Sequence, residues 1–368
     1  MKKTFYIIIS FLLILLISNK IAKQFLEQTK YEKKYFKENI KFIYGDEYKD
    51  YLKVHQQQNY PVRYSPLTEF MEQQRNHEFV SISEYGNRCN KNRIQNCKIP
   101  KGGKNEIWIF GGSTVFGYGL KNDETIAAHL ERYIKNKNVI NFGQGHFYST
   151  QSRILFQNLI TFLPLPETVI FLDGFNDFKI DQINNYQFPI RTSLTNNFED
   201  LINKKKISKS QKLKNWFKKR FNRLNIVRLY KDKTESKTTK QPKKISIKDV
   251  DKAYVTLINR LKVNFKINKS IEEKFNINVV NVLEPISLSK QNYSSSNIPK
   301  NYLNNFDETF NHHKNIYKLI KTNNELLSFV DLNMINLKIK KSMFVDLTHY
   351  SNDFSNKIAF EIFQSLNN

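Results

Sequence analysis

Cysteine, glycine and proline are all scarce: the chain of 368 residues holds two, eleven and nine of them. So few glycines and prolines exclude collagen-like and low-complexity architectures. Two cysteines cannot frame a disulfide-built miniature fold, and with no histidine near them they do not make a zinc site. Acidic residues are also short, with 34 Asp and Glu against 59 Lys and Arg, a formal charge of +25. That excess is spread along the chain with one strong concentration, and no zinc-finger, RNP or GXXG signature accompanies it. The expectation is therefore no nucleic-acid partner; a membrane surface or an acidic polysaccharide fits the charge. What is plentiful is apolar surface: 40% hydrophobic and 14% aromatic residues, enough for a core, which excludes wholesale disorder. The length suits one large domain or two.

Long hydrophobic runs are missing except at the start. Met1-Lys2-Lys3 precedes residues 4–18, which carry no charge, the pattern of a signal peptide or signal anchor. The run is short of the roughly 20 residues that span a bilayer, but Ile21 and Ala22 extend it if Lys20 snorkels. No A-x-A-like pair follows, so an uncleaved transmembrane anchor over 1–22 is expected. Orientation has evidence on both sides. Lys2 and Lys3 before the run, against Lys20, Lys23, Lys30, Lys33 and Lys34 after it, favour a cytoplasmic domain by the positive-inside rule. Cys89 and Cys97, eight positions apart in a polar stretch, suit a disulfide in an oxidising compartment; two unpaired thiols are the alternative. On the cysteines, the expectation is a single-pass protein of the cell membrane with its domain outside the cytoplasm, periplasmic or at the cell surface.

Residues 23–45 read as a helical stalk, and 46–104 as short pieces packed beside the main domain. From 105 onward strands and helices alternate. Apolar runs at Glu106–Phe110, Val139–Phe142, Thr168–Leu172, Ile277–Leu283 and Phe329–Leu332 read as strands. Stretches at 125–135, 149–162, 250–271, 311–327 and 356–366 read as helices. Near-continuous apolar strands separated by helices predict a three-layer α/β/α domain around a parallel sheet of about five strands. A basic insert at about 195–245 interrupts the alternation. Within it, Leu213–Tyr230 is amphipathic, with Lys214, Lys218, Lys219 and Arg223 on or beside its basic side.

Three strands end in glycine-bearing segments: Gly111-Gly112-Ser113-Thr114, Asn141-Phe142-Gly143-Gln144-Gly145 and Gly174-Phe175-Asn176-Asp177. Sites in open parallel sheets form outside the carboxyl ends of the strands, so the three segments are expected in one crevice. Far downstream stands Asp346-Leu347-Thr348-His349, a spacing of nearly one helical turn, at which the carboxylate can reach the imidazole and fix its tautomer. A serine hydroxyl needs a base to become a nucleophile. Ser113 lies where a strand turns into a helix, whose first amides face a developing oxyanion. Gly143 offers an unobstructed N–H and Asn176 an amide as further donors. Gly112 and Gly117 mimic a phosphate loop, but Tyr118-Gly119 stands where Lys-Ser/Thr is required. His146 can line the pocket, and His312 and His313 point to different helix faces. No metal-ligand spacing appears, so neither metal nor cofactor is expected.

Taken together, the four segments resemble the blocks of the SGNH hydrolases, the GDSL esterase/lipase superfamily, over about residues 105–365. GGSTVFGYG at 111–119 resembles the GGST-type variant of envelope-associated bacterial members, with Gly112 where the name-giving motif has Asp. The resemblance implies an SGNH, flavodoxin-like fold and Ser113 as nucleophile. It implies His349 as base and Asp346 as its orienter, with an oxyanion hole made by Ser113 N–H, Gly143 N–H and the Asn176 side chain. The expected function is a membrane-anchored extracytoplasmic serine esterase, cleaving O-acyl, for instance O-acetyl, esters of an envelope glycan. An O-acyltransferase using the same triad and a catalytically silent scaffold for polysaccharide assembly are the alternatives.

Overall fold

The computed structural model describes residues 31–58, 62–91, 94–178, 247–286, 298, 303, 307–322, 330–332 and 343–367. The anchor expected over 1–22 and the basic insert at 195–245 lie outside the described residues, as does the start of the stalk. Among the described residues no helix is long and apolar enough to cross a membrane. The chain divides into two units, one of residues 1–36 and 191–246, the other of 37–190 and 247–368. The account below concerns the second.

Among the described residues two helices come first, α1 (Tyr31–Tyr44) and α2 (Tyr48–Gln58), followed by the short strands β1 (Arg63–Ser65), β2 (Glu69–Met71), β3 (Arg75–Asn76) and β4 (Ser81–Ile82). The main sheet begins with β5 (Gly103–Gly111) and the single-turn helix α3 (Ser113–Phe116). Then come α4 (Ile126–Tyr133), β6 (Asn138–Asn141), α5 (Ser149–Leu159) and β7 (Pro166–Asp173). The second half supplies α6 (Ile247–Phe275), β8 (Asn278–Leu283), α7 (Asp307–Lys321), β9 (Val330–Asp331) and α8 (Asn352–Asn367). The five main strands are parallel, in the order β6-β5-β7-β8-β9. Chain order reverses between β5 and β7, and that reversal opens a crevice at their carboxyl ends.

Alternation along β5 explains why both faces are covered. Ile107 and Ile109 join Val139, Ile170, Leu172 and Val282 on one face, under Ile126, Ala127 and Leu130 of α4 and Phe354, Ile358, Ala359 and Ile362 of α8. The intervening Trp108 and Phe110 point the other way, into a cluster with Phe142, Phe171 and Phe156 of α5. Stacked and edge-to-face pairs of this kind add about 0.5–1.5 kcal/mol each beyond area burial. Trp108 is fully buried and gives its indole N–H to Glu106 Oε2 at 2.9 Å. The start of α4 is set by Thr125, whose Oγ1 accepts from the Ala128 amide at 3.2 Å, a cap that satisfies one orphan donor.

The segment before residue 105 packs with the main sheet: everything from 37 to 178 belongs to one unit. The physical reason is hydrogen bonding that local sequence does not advertise. Arg88 bridges to Asn141 beside the β6 edge, its amide donating to Asn141 O at 2.8 Å. Its buried guanidinium donates to Phe116 O, Gly117 O and Leu120 O at 2.7, 2.6 and 2.5 Å and lies over the Phe116 ring. Cys89 and Cys97 are disulfide-bonded, closing a short loop beside Arg88.

Candidate active site

β5 runs out at Gly111, and Gly112 leads into α3, so Ser113 is the first residue of a helix at the sheet's carboxyl edge. The amides of a first helical turn have no acceptor within the helix. Gly112 is required by close approach: a Cβ there would stand 2.5 Å from Asn176 Nδ2 and 3.1 Å from Phe147 O. An Asp at this position would collide with the Asn176 amide, which accounts for glycine in a place where the resembling motif carries Asp.

Ser113 and His349 lie 236 positions apart in sequence, yet His349 Nε2 is 3.0 Å from Ser113 Oγ. On the far side of the ring, His349 Nδ1 is 2.7 Å from Asp346 Oδ2. With Nδ1–H donating to the carboxylate, Nε2 is left to accept from the serine hydroxyl. Asp346 Oδ1 also accepts the amides of Thr348 and His349, at 2.7 and 2.8 Å. The Asp–His spacing is thus realised in a tight non-helical bend and not in the expected helical turn. Phe344 pairs with Tyr350, and the Val345 amide donates to His349 O at 2.9 Å. Burial pushes the Asp346 carboxyl up, but the His349 charge, its hydrogen bond and the two amides outweigh it and hold the group at about 2. Asp346 is therefore ionised at neutral pH and able to support an imidazolium.

Asn176 follows β7 and is buried, with Nδ2 donating to Phe147 O at 2.7 Å and Oδ1 without a partner among the described residues. The same Nδ2 lies against Gly112, beside Ser113. Gly143 differs from expectation. Its N–H donates to Asn141 Oδ1 at 2.9 Å, so this amide is already engaged. A Cβ at 143 would stand 2.2 Å from Phe116 N and 2.6 Å from Val115 C. Glycine here lets the loop pass under α3. The Gly145 amide is likewise used by the Glu72 carboxylate. His146 is exposed, in the left-handed region at φ 67°.

Several residues that sequence reasoning missed hold this arrangement. Glu284 is buried and takes the Thr114 hydroxyl at 2.6 Å and the Phe175 amide at 2.5 Å, tying the segments after β5 and β7 together. Asp177 accepts the Ser149 hydroxyl and amide, at 2.6 and 3.0 Å. Asp173 accepts the Ser152 hydroxyl at 2.9 Å, and burial, then Asp177 and Glu284, push its carboxyl well up. Gln58 of α2 and Tyr118, which lies against the His349 ring, complete the surroundings. The partners are 21 to 170 residues apart in sequence. His313 is buried against the Phe175 ring, while the His312 ring meets Tyr254. Among the described residues no group of His, Cys, Asp or Glu is arranged to hold a metal ion.

No family model and no curated protein sequence matches the chain. Solved structures that it resembles include a member of the lipolytic protein G-D-S-L family from Veillonella parvula, at 12% identity and TM-score 0.38, covering 71% of this chain and 98% of that one. A proposed acylhydrolase from Bacteroides fragilis aligns at 12% identity and TM-score 0.33, covering 74% and 92%. An acetyl xylan esterase aligns at 13% identity and TM-score 0.33, covering 71% and 99%.

Proposed function

We propose that the chain is a serine ester hydrolase of the SGNH, GDSL-type superfamily, acting through an acyl-enzyme. The observation that carries this reading is the unbroken line Ser113 Oγ, His349 Nε2, His349 Nδ1, Asp346 Oδ2, with steps of 3.0 and 2.7 Å at the end of a parallel sheet. Ser113 Oγ attacks the acyl carbonyl while its proton passes to His349 Nε2. The carbonyl electron pair moves to the oxygen, which the Ser113 amide and the free N–H of Asn176 Nδ2 stabilise; such donors contribute about 3–4 kcal/mol each. The pair returns, the alkoxide leaves with the proton held by His349, and water repeats the cycle to release the acid. Asp346 stays ionised throughout and supports the imidazolium.

The proposal extends to the compartment and the substrate. A bonded Cys89–Cys97 pair suits an oxidising compartment, so we place the domain outside the cytoplasm, held by residues 4–22. O-acyl esters of an envelope glycan are the proposed substrates. The test is hydrolysis of p-nitrophenyl acetate and longer esters by the purified protein and by Ser113→Ala, with fluorophosphonate labelling mapped by mass spectrometry. Activity and a label on Ser113, both lost in the variant, support the reading; an unlabelled Ser113 and no turnover overturn it. A carboxyl-terminal alkaline phosphatase fusion reports the compartment, and an inactive phosphatase there overturns export.

A further inference from the structure

We infer that Tyr118 is the positioning residue of the catalytic base: its ring face seats the His349 imidazole and stabilises the imidazolium formed when His349 takes the Ser113 proton. The inference rests on the serine-hydrolase reading above and deepens it. The two ring centroids are 5.0 Å apart with planes inclined by 31°, closer to parallel than to an edge-on arrangement. That is within the roughly 6 Å over which a cation is attracted to an aromatic face. The imidazole nitrogens are both occupied, one by Asp346 and one by Ser113. Its face is therefore the surface through which a further group can fix the ring plane.

Tyr118 is held where it is by backbone on both sides. Gly117 and Gly119 take φ of 80° and 88°, in the left-handed region that favours glycine. The Tyr118 amide donates to Ser113 O at 2.9 Å, which ties the aromatic residue to the nucleophile itself. Gln58 spans the same turn: Nε2 donates to Gly117 O at 3.1 Å, and Oε1 accepts the Gly119 amide at 2.7 Å. A Cβ at 119 would stand 3.2 Å from Val345 Cγ2 and 3.6 Å from the His55 ring, so this turn lies directly against the loop that carries Asp346. The position of the ring relative to the base is thus set by α2, by the nucleophile turn and by the catalytic loop together.

The charged and titratable groups around the ring come from each of those elements. Asp346 and His349 stand on the catalytic loop, Glu72 and Arg75 come from the β2–β3 segment, and His55 meets the Tyr118 ring edge-on from α2 at 6.4 Å. Glu72 and Arg75 are paired with each other, which offsets their charges. Burial, reinforced by the His349 charge and opposed by Asp346, holds His55 at about 4, so it adds no positive charge at neutral pH. The phenol face is then the group that discriminates between imidazole and imidazolium, alongside Asp346.

Nuclear magnetic resonance titration of the His349 ring in the full chain tests this without relying on turnover; the signal is assigned by its loss in His349→Gln. Tyr118→Leu is expected to lower the His349 pKa by about one unit, a tenfold loss of proton affinity, because the charged form loses its aromatic support. Tyr118→Phe keeps the face and is expected to move it by less than about a third of that. Should Tyr118→Leu fail to fold, pentafluorophenylalanine placed at 118 keeps the shape and inverts the ring's charge distribution; it is expected to lower the pKa at least as far. In active enzyme the acidic limb of kcat/KM should move to lower pH by the same amount. An unchanged His349 pKa in Tyr118→Leu, or in the fluorinated protein where that variant does not fold, overturns the inference. So does a shift in Tyr118→Phe as large as in Tyr118→Leu. A protein without esterase activity whose His349 still responds to the ring would instead overturn the hydrolase reading alone.

Discussion

The side chain of Asn39, on α1, donates to the carbonyl of Val345 at 2.7 Å, joining positions 306 residues apart. Val345 immediately precedes Asp346, so the first described helix holds the loop that carries both Asp346 and His349. That loop has little regular structure of its own. Another long-range tether is the Tyr350 hydroxyl, which donates to Pro285 O at 2.7 Å. The segment before the main sheet therefore helps to hold the loop of Asp346 and His349.

Removing that tether should loosen the loop. Asn39→Ala leaves the buried Val345 carbonyl without its donor, at a cost of about 1–3 kcal/mol. Urea unfolding should show this loss. The turnover number should fall by roughly tenfold with KM little changed, since misplacing a base costs transition-state and not ground-state binding. Unaltered turnover in a destabilised protein would confine Asn39 to folding.

The proposed triad predicts severe losses at each of its three positions. Ser113→Ala and His349→Ala should each lower kcat for ester hydrolysis by about a thousandfold or more. Asp346→Asn should lower it to a similar extent, because an amide cannot balance the imidazolium or hold the required tautomer. Steady-state kinetics with p-nitrophenyl acetate provides the check. Near-normal rates in Ser113→Ala would remove the assignment.

Stability should fall as pH drops from about 6.5 to about 4. Burial lowers His55 to about 4, with the His349 charge acting the same way and Asp346 opposing. Burial and then the Arg132 charge lower His129 to about 4, against its hydrogen bond to Asn352 Oδ1. An imidazole with a depressed folded-state pKa is protonated first in the unfolded chain, so the folded state loses ground across this window. Each group contributes on the order of 2–3 kcal/mol at most. Chemical denaturation at pH 7, 5.5 and 4 should show the decline, and His129→Gln should flatten it. A curve flat over that range would contradict the burial of both rings.

The disulfide should contribute to stability and resist labelling. Cys89 is buried and bonded to Cys97 eight positions on, and closing so short a loop stabilises by about 2–3 kcal/mol. Iodoacetamide should modify neither cysteine until the protein is unfolded and reduced. Cys97→Ser should lower Tm by several degrees. Labelling of the native, unreduced protein would show free thiols.

The sequence by itself determines the alternation of strands and helices, because it is written in local periodicity. Ile107 and Ile109 face one way and Trp108 and Phe110 the other, whichever way the rest of the chain folds. It also names Ser113, Asn176, Asp346 and His349, because each stands in a short motif whose chemistry needs those residue types. Tertiary structure alone decides which amides are free. Gly143 carries a donor on paper, yet Asn141 takes it at 2.9 Å, and the glycine serves close packing under α3. The same holds for Asn39, Gln58, Arg88, Tyr118 and Glu284. They act on partners brought near only by the fold, so no spacing in the chain reveals them. Hydrogen bonds and ring contacts depend on distance in space, and distance along the chain predicts that only within a single turn or strand.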